Sequence, residues 1–195
     1  EAFGTGTESS FEAGRFVLDL GSRRLVGRNN FRNTTNAFTG MRFDWQGAGD
    51  EALTLFYTLP QSRLPSDKAS ILGNDVEWDR ESFDLTFWGG ILSLPGVAAG
   101  GTLELYPFVL DEDDGATRPT RNRELITPGF RFFRNPGAGR WDYEIEAAGQ
   151  FGSIRAGTAA DAARQDVSAW TFHAEAGHQL AGAWSPRLAL ELDGA

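Results

Sequence analysis

Carboxylates and guanidiniums recur along this chain at the spacing of a β-strand rather than of a helix. Asp142, Glu144 and Glu146 stand two residues apart, which puts all three on one face of an extended segment. Neighbouring carboxylates are what acid–base cleavage of a glycoside requires. Like charges held that close resist joint ionisation, so the same spacing calls for arginine neighbours and then reads as a charged wall. The run Asp111-Glu112-Asp113-Asp114-Gly115 offers a weak calcium candidate in Asp111, Asp113 and Asp114. It lacks the full loop spacing and the closing bidentate glutamate of a calcium loop, and acidic runs are usually solvated. His173 and His178 fall on opposite faces of a strand and share a metal only across a bulge. No Gly-x-Ser-x-Gly is present, Gly47-x-Gly49 lacks the ending of a phosphate loop, and the two histidines lack the surroundings of a catalytic triad. Neither a catalytic residue nor a cofactor is expected.

The elements that must position these charges follow a period of two. Met41, Phe43 and Trp45 share one face while Arg42 and Asp44 share the other. Beyond the turn at 47–51 the apolar face continues in Leu53, Leu55 and Tyr57, with Thr54, Phe56 and Thr58 opposite. The pattern recurs in Phe83, Leu85 and Phe87 against Asp84, Thr86 and Trp88, and in Leu103 and Leu105 against Thr102, Glu104 and Tyr106. Later, Trp141, Tyr143 and Ile145 alternate with the three acids, Trp170 and Phe172 with Thr171, His173 and Glu175, and Leu188, Leu190 and Leu192 with Arg187, Glu191 and Asp193. About nine strands result, near 14–27, 39–46, 52–59, 81–93, 101–110, 123–134, 140–151, 167–180 and 186–193. Residues 1–13 read as an irregular lead-in, and 1–195 as one domain. Only the alanine-rich 158–164 offers a helical turn, and 60–78 has room for a further strand.

The links alternate short (47–51, 95–101, 135–140, 181–185) and long (28–38, 60–80, 111–122, 152–166), as in a membrane β-barrel with one trimmed and one elaborated end. The bulk composition, 41% hydrophobic with a mean hydropathy of -0.34, is compatible with such a barrel, because a lipid face averages against a polar lumen face. A net charge of -9 argues against nucleic acid. The absence of cysteine removes disulfides and thiolate sites. Of the 18 basic residues all but Lys68 are arginine, whose planar fork suits carboxylates. With no leader ahead of Glu1 and a strand still in progress at Asp193, both ends are expected to be cut.

One stretch is more specific. Leu18-Asp19-Leu20-Gly21-Ser22-Arg23-Arg24-Leu25-Val26-Gly27, continuing through Asn29-Asn30-Phe31-Arg32-Asn33 to Phe38-Thr39-Gly40, resembles the alginate-export family of Gram-negative outer-membrane porins. Trp141-Asp142-Tyr143-Glu144, Gln150-Phe151-Gly152, Trp170 through Glu175 and Pro186-Arg187-Leu188 extend the resemblance over most of the chain. Ser22, Arg23 and Thr39 depart from the motif, standing where it carries Asp, Gln and Asp. The resemblance implies an all-β, antiparallel up-and-down transmembrane barrel, of which this chain supplies about nine of eighteen strands. It also implies a pore passing an anionic polyuronate between arginines at a constriction. The expected lumen and substrate residues are Arg23, Arg24, Arg42, Arg131 and Arg187, with the acids Asp44, Glu144 and Glu175. Those arginines either meet substrate or brace the wall against its acids. Outer loops folding inward would narrow the passage. The expected partners are outer-membrane lipid, a polysaccharide or small hydrophilic solute, and further strands of the same barrel. Two rivals stand beside the channel. One is a soluble carbohydrate-binding β-sandwich using Trp78 and Trp88, which the strict alternation of links disfavours; the other is a structural barrel without transport.

Overall fold

The computed structural model describes residues 6–28, 35–115 and 119–195; residues 29–33 of the family-like stretch lie outside them. Nine strands make one antiparallel sheet in sequence order: β1 (Glu8–Phe16), β2 (Phe38–Gln46), β3 (Ala52–Pro60), β4 (Leu85–Val97), β5 (Gly101–Glu112), β6 (Glu124–Arg134), β7 (Arg140–Arg155), β8 (Arg164–Gln179) and β9 (Arg187–Gly194). A sandwich would need strands to change sheets, and these do not. Links at 47–51, 98–100, 135–139 and 180–186 are tight, and those at 17–37, 61–84, 113–123 and 156–163 are long, so the two ends of the meander differ as their composition predicts.

Continuous register turns the period-two pattern into rows. Leu53, Leu92, Leu105, Phe130, Ala147 and Phe172 are successive cross-strand partners. So are Leu94, Leu103, Phe132, Ile145, Ala174 and Leu192. This outer face is apolar from β1 to β9 and leaves Phe11, Met41, Leu55, Leu190 and other large side chains exposed, as a lipid-facing band does. Towards the long links the band ends on Tyr57, Trp88 and Trp170, and towards the short ones on Trp45 and Trp141, which places aromatics at both rims.

The first strand differs from expectation. It runs from Glu8 to Phe16, mostly within the expected lead-in and overlapping the expected strand only at 14–16, and 17–28 is not a strand. Alternation of Phe16, Leu18 and Leu20 suggests a strand, yet Gly21 (φ 53°) and Arg23 (φ 64°) take left-handed backbone, which no strand accommodates. Leu20 and Val26 close the turn through a 3.0 Å backbone hydrogen bond. The segment folds over the inner face, where Leu18, Leu20 and Val26 are buried with Phe56, Ile91, Tyr106, Phe108 and Ala148.

That covering explains a second correction. In β4 the faces are opposite to those expected: Trp88 pairs with Tyr57 on the outer face, and Phe87 pairs with Thr58 on the inner one. Phe87 packs on Phe56 and Phe108, at centroid distances of 5.2 and 6.0 Å. Both faces of this strand are apolar, one towards the surroundings and one under 17–28, so alternation alone carries no sign. At 158–164 no helix forms; β7 and β8 stay paired as far as Arg155 and Arg164, and between them lies a single turn in which the Ala162 amide donates to the Ala159 carbonyl at 3.0 Å. The helix is α1 (Lys68–Leu72), capped by Asp67, whose side chain accepts from the Ser70 amide. The 60–78 stretch holds no further strand, only a bridge from Ser62 to Arg80.

At the long-link end Arg155 donates to Asp114 Oδ1 (2.5 Å) and the Thr120 carbonyl (2.8 Å), and Asp114 also accepts from the Thr120 amide. The Arg155 hydrogen bond first, then the Thr120 amide, hold the Asp114 carboxyl below the ordinary carboxylate range. A depressed folded-state value adds stability above the unfolded value, lost as pH falls through the folded one. Amide exchange should therefore show Thr120 protected down to pH values below the normal aspartate range and released under stronger acid. In Asp114→Asn that acid step should be missing. For the outer face, Leu105→Arg should cost about 2–4 kcal/mol in lipid-vesicle folding titrations, the penalty of a cation in mid-bilayer. Thr102→Arg, on the inner face of the same strand three residues earlier, should cost far less.

Candidate functional site

The inner face is a lattice of ion pairs built by register. Glu104, Arg131, Glu146, His173 and Asp193 are successive cross-strand partners from β5 to β9. Glu144, Glu175 and Glu191 form the adjacent row. Rows so rich in carboxylates require cations among them. Arg131 supplies one, reaching Glu104 at 3.2 Å and Glu144 at 2.8 Å while its guanidinium lies 3.8 Å over the Phe133 ring. Arg187 supplies another, bridging Asp142 and Glu175. Arg42 donates to Asp44 at 2.9 Å, and Thr54 donates to the same oxygen at 2.6 Å.

The inward segment completes the lattice. Arg24 reaches down to Glu144 (3.3 Å) and pairs with Glu146. Ser22 donates to Glu146 Oε2 at 2.7 Å and Tyr106 to Oε1 at 2.9 Å. The Tyr106 ring gets there because it lies flat over Gly129, where any Cβ would overlap it; only glycine permits that approach. On the outer bend of the segment Arg28 grips Asp19 through a 2.5 Å ion pair. Arg23 is exposed at the tip and has no salt bridge among the described residues.

Of the expected residues, Arg24, Arg131 and Glu144 are thus brought into one network, and Arg187 and Glu175 into a second one with Asp142. Arg42 and Asp44 form a separate pair on β2, and Arg23 stands free of these. Among the described residues the calcium candidates Asp111, Asp113 and Asp114 do not converge on a ligand set. Asp114 is held by Arg155, and the Asp113 amide donates to the Asp84 carbonyl. Asp142, Glu144 and Glu146 are each held by a guanidinium, the neighbours their spacing calls for. Above them, between the long links, a cleft of about 470 Å³ is lined by Ser62, Arg80, Glu81, Asp84, Glu112 and neighbours.

Sequence reasoning took Glu146 only as one of three spaced carboxylates and Ser22 only as a departure from the family motif, and did not place them where segment meets wall. Parity places Glu146 on the inner face, but its partner lies over 120 positions away in the chain. His173 was weighed against His178, whereas its neighbours are Asp193 and Glu191 across the strand pair.

Across the middle of β5–β9 the carboxylates of Glu104, Asp142, Glu144, Glu146, Glu175, Glu191 and Asp193 outnumber the guanidiniums of Arg24, Arg131 and Arg187. Most arginines are committed to the wall's own acids, which is the bracing arrangement rather than an open anion row.

No helix among the described residues is long and apolar enough to cross a membrane, a test that does not bear on strands. No curated protein and no solved structure matches the chain. A family model does match, that of alginate export, over residues 2–195. Its members are membrane-embedded β-barrels of transport rather than enzymatic type, which agrees with an all-β meander carrying one apolar and one charged face, and membership supports a role in alginate export or transport. By that match the chain belongs to the alginate-export family.

Proposed function

We propose that the sheet is part of the wall of an outer-membrane channel through which a hydrophilic solute of polyuronate type diffuses passively, narrowed by residues 17–28. One observation carries this reading. A segment of one long link is docked on the charged face, while the other face is an uninterrupted apolar band. A soluble sheet buries its apolar face and leaves the charged one to water; here the burial is on the charged side and the apolar side is bare. Lipid is the partner such a band fits. The outward backbone groups of β1 and β9 also need partners in an apolar surround, and further strands of the same barrel would provide them.

Within the passage the arginines divide into two roles. Arg24, Arg131 and Arg187 brace acids. Arg23, held out on left-handed backbone at the tip of the narrowing segment, has its guanidinium available to a passing carboxylate. The acid-rich wall beyond it keeps an anionic solute from settling, as conduction requires weak rather than tight sites.

Single-channel recording of the full-length protein in planar bilayers separates these roles. Arg23→Glu should leave conductance near its original value and weaken block by an added oligouronate roughly tenfold, one charge-assisted contact being worth ~1.5 kcal/mol. Glu146→Gln should instead loosen the segment and raise conductance. Absence of conductance, or an oligouronate block indifferent to Arg23, would overturn the reading.

A further inference from the structure

We infer that His173, Glu191 and Asp193 form a binding site for a first-row divalent transition metal on the charged wall, distinct from the arginine-braced acids. His173 is buried, 3% exposed, on β8. Its Nδ1 lies 2.8 Å from Asp193 Oδ1 and 3.8 Å from Glu191 Oε1, and the three ligand atoms all lie within 4.8 Å of one another. One ion with bonds of about 2.0–2.2 Å reaches all three after small rotamer changes. On the far side of the ring, Nε2 faces Glu144 at 4.0 Å.

Among the described residues the charge around the site is acidic. The guanidiniums nearby are engaged elsewhere: Arg24 with Glu144 and Glu146, and Arg187 with Asp142 and Glu175. Among the described residues neither Glu191 nor Asp193 has a guanidinium within ion-pair distance; His173 is the basic group both meet. Glu175 lies directly opposite Glu191 in the strand pair and adds to the excess. A divalent cation would neutralise the two carboxylates together. One imidazole with two carboxylates favours zinc, manganese or cobalt over the harder calcium. Three protein ligands leave coordination positions open towards the inner space. There, if the channel reading holds, a uronate carboxylate or hydroxyl could complete the shell. That last use rests on the proposed function; the site does not.

Metal binding is read without any transport assay. The purified full-length protein in detergent is titrated calorimetrically with Zn²⁺ after chelator treatment, and with Co²⁺ by its visible absorption. Saturable binding of one ion per chain is expected, weakened at least about tenfold by His173→Gln and by Asp193→Asn. His178→Gln, on the opposite face, should leave it unchanged. Glu191 and Asp193 side chains are 58% and 62% exposed, so Glu191→Gln serves if the buried histidine variant fails to fold, as judged by tryptophan fluorescence. No saturable binding, or binding that these substitutions leave untouched, overturns the site even if the channel conducts. A conductance failure with metal bound would overturn only the channel.

Discussion

Glu146 carries the arrangement of the inner face. It is 4% exposed, and a carboxylate that deep is tolerable only when its oxygens are met by donors. Arg24 and Ser22 come from the inward segment and Tyr106 from β5, so three parts of the chain converge on one side chain of β7. The same contacts bring Leu18, Leu20 and Val26 down onto Phe56, Tyr106 and Phe108. Burial of those side chains and satisfaction of Glu146 therefore stand or fall together. Removing the acceptor would strand the buried Tyr106 hydroxyl against an apolar cluster, a larger loss than the hydrogen bond itself, while Arg24 would keep Glu144.

The wall around Glu146 follows one rule. Wherever register sets acids side by side, a guanidinium is inserted between rows, as Arg131 between Glu104 and Glu144 and Arg187 between Asp142 and Glu175. Arginine rather than lysine suits this task, since its planar fork serves two carboxylates at once. The strong preference for arginine in the chain thus has a structural use on this face. At Glu191 and Asp193, on the edge strand β9, the basic neighbour among the described residues is His173.

Much of the fold is legible in the sequence because a strand's two faces are written at a period of two. Eight of the strands, from β2 to β9, lie where alternation and turn residues place them, and the lengths of the links follow. Legibility fails where both faces are apolar. In β4 the pattern contains Phe87 and Trp88 in succession, and nothing local says which one faces outward; the register with Thr58 and Tyr57 settles it. The first strand is obscured for the opposite reason. Leu18 and Leu20 imitate strand alternation while serving as a plug, and the true β1 offers only Phe11 and Ala13 as apolar signals on its outer face. For the site, face assignments of Arg42, Arg131, Glu144 and Glu175 were readable from parity, but their partners were not.

By itself, then, the sequence determined the antiparallel meander, its apolar and charged faces, its short and long ends, and its kinship with the alginate-export family, because all of these depend on neighbours along the chain. Tertiary structure alone decided which acid each arginine braces, that residues 17–28 lie against the inner face, and that His173 meets Asp193 and Glu191 rather than His178. Each of those depends on register and on contacts between residues far apart in sequence. Period-two patterning marks the face on which a side chain lies. Pairing between strands supplies what stands beside it.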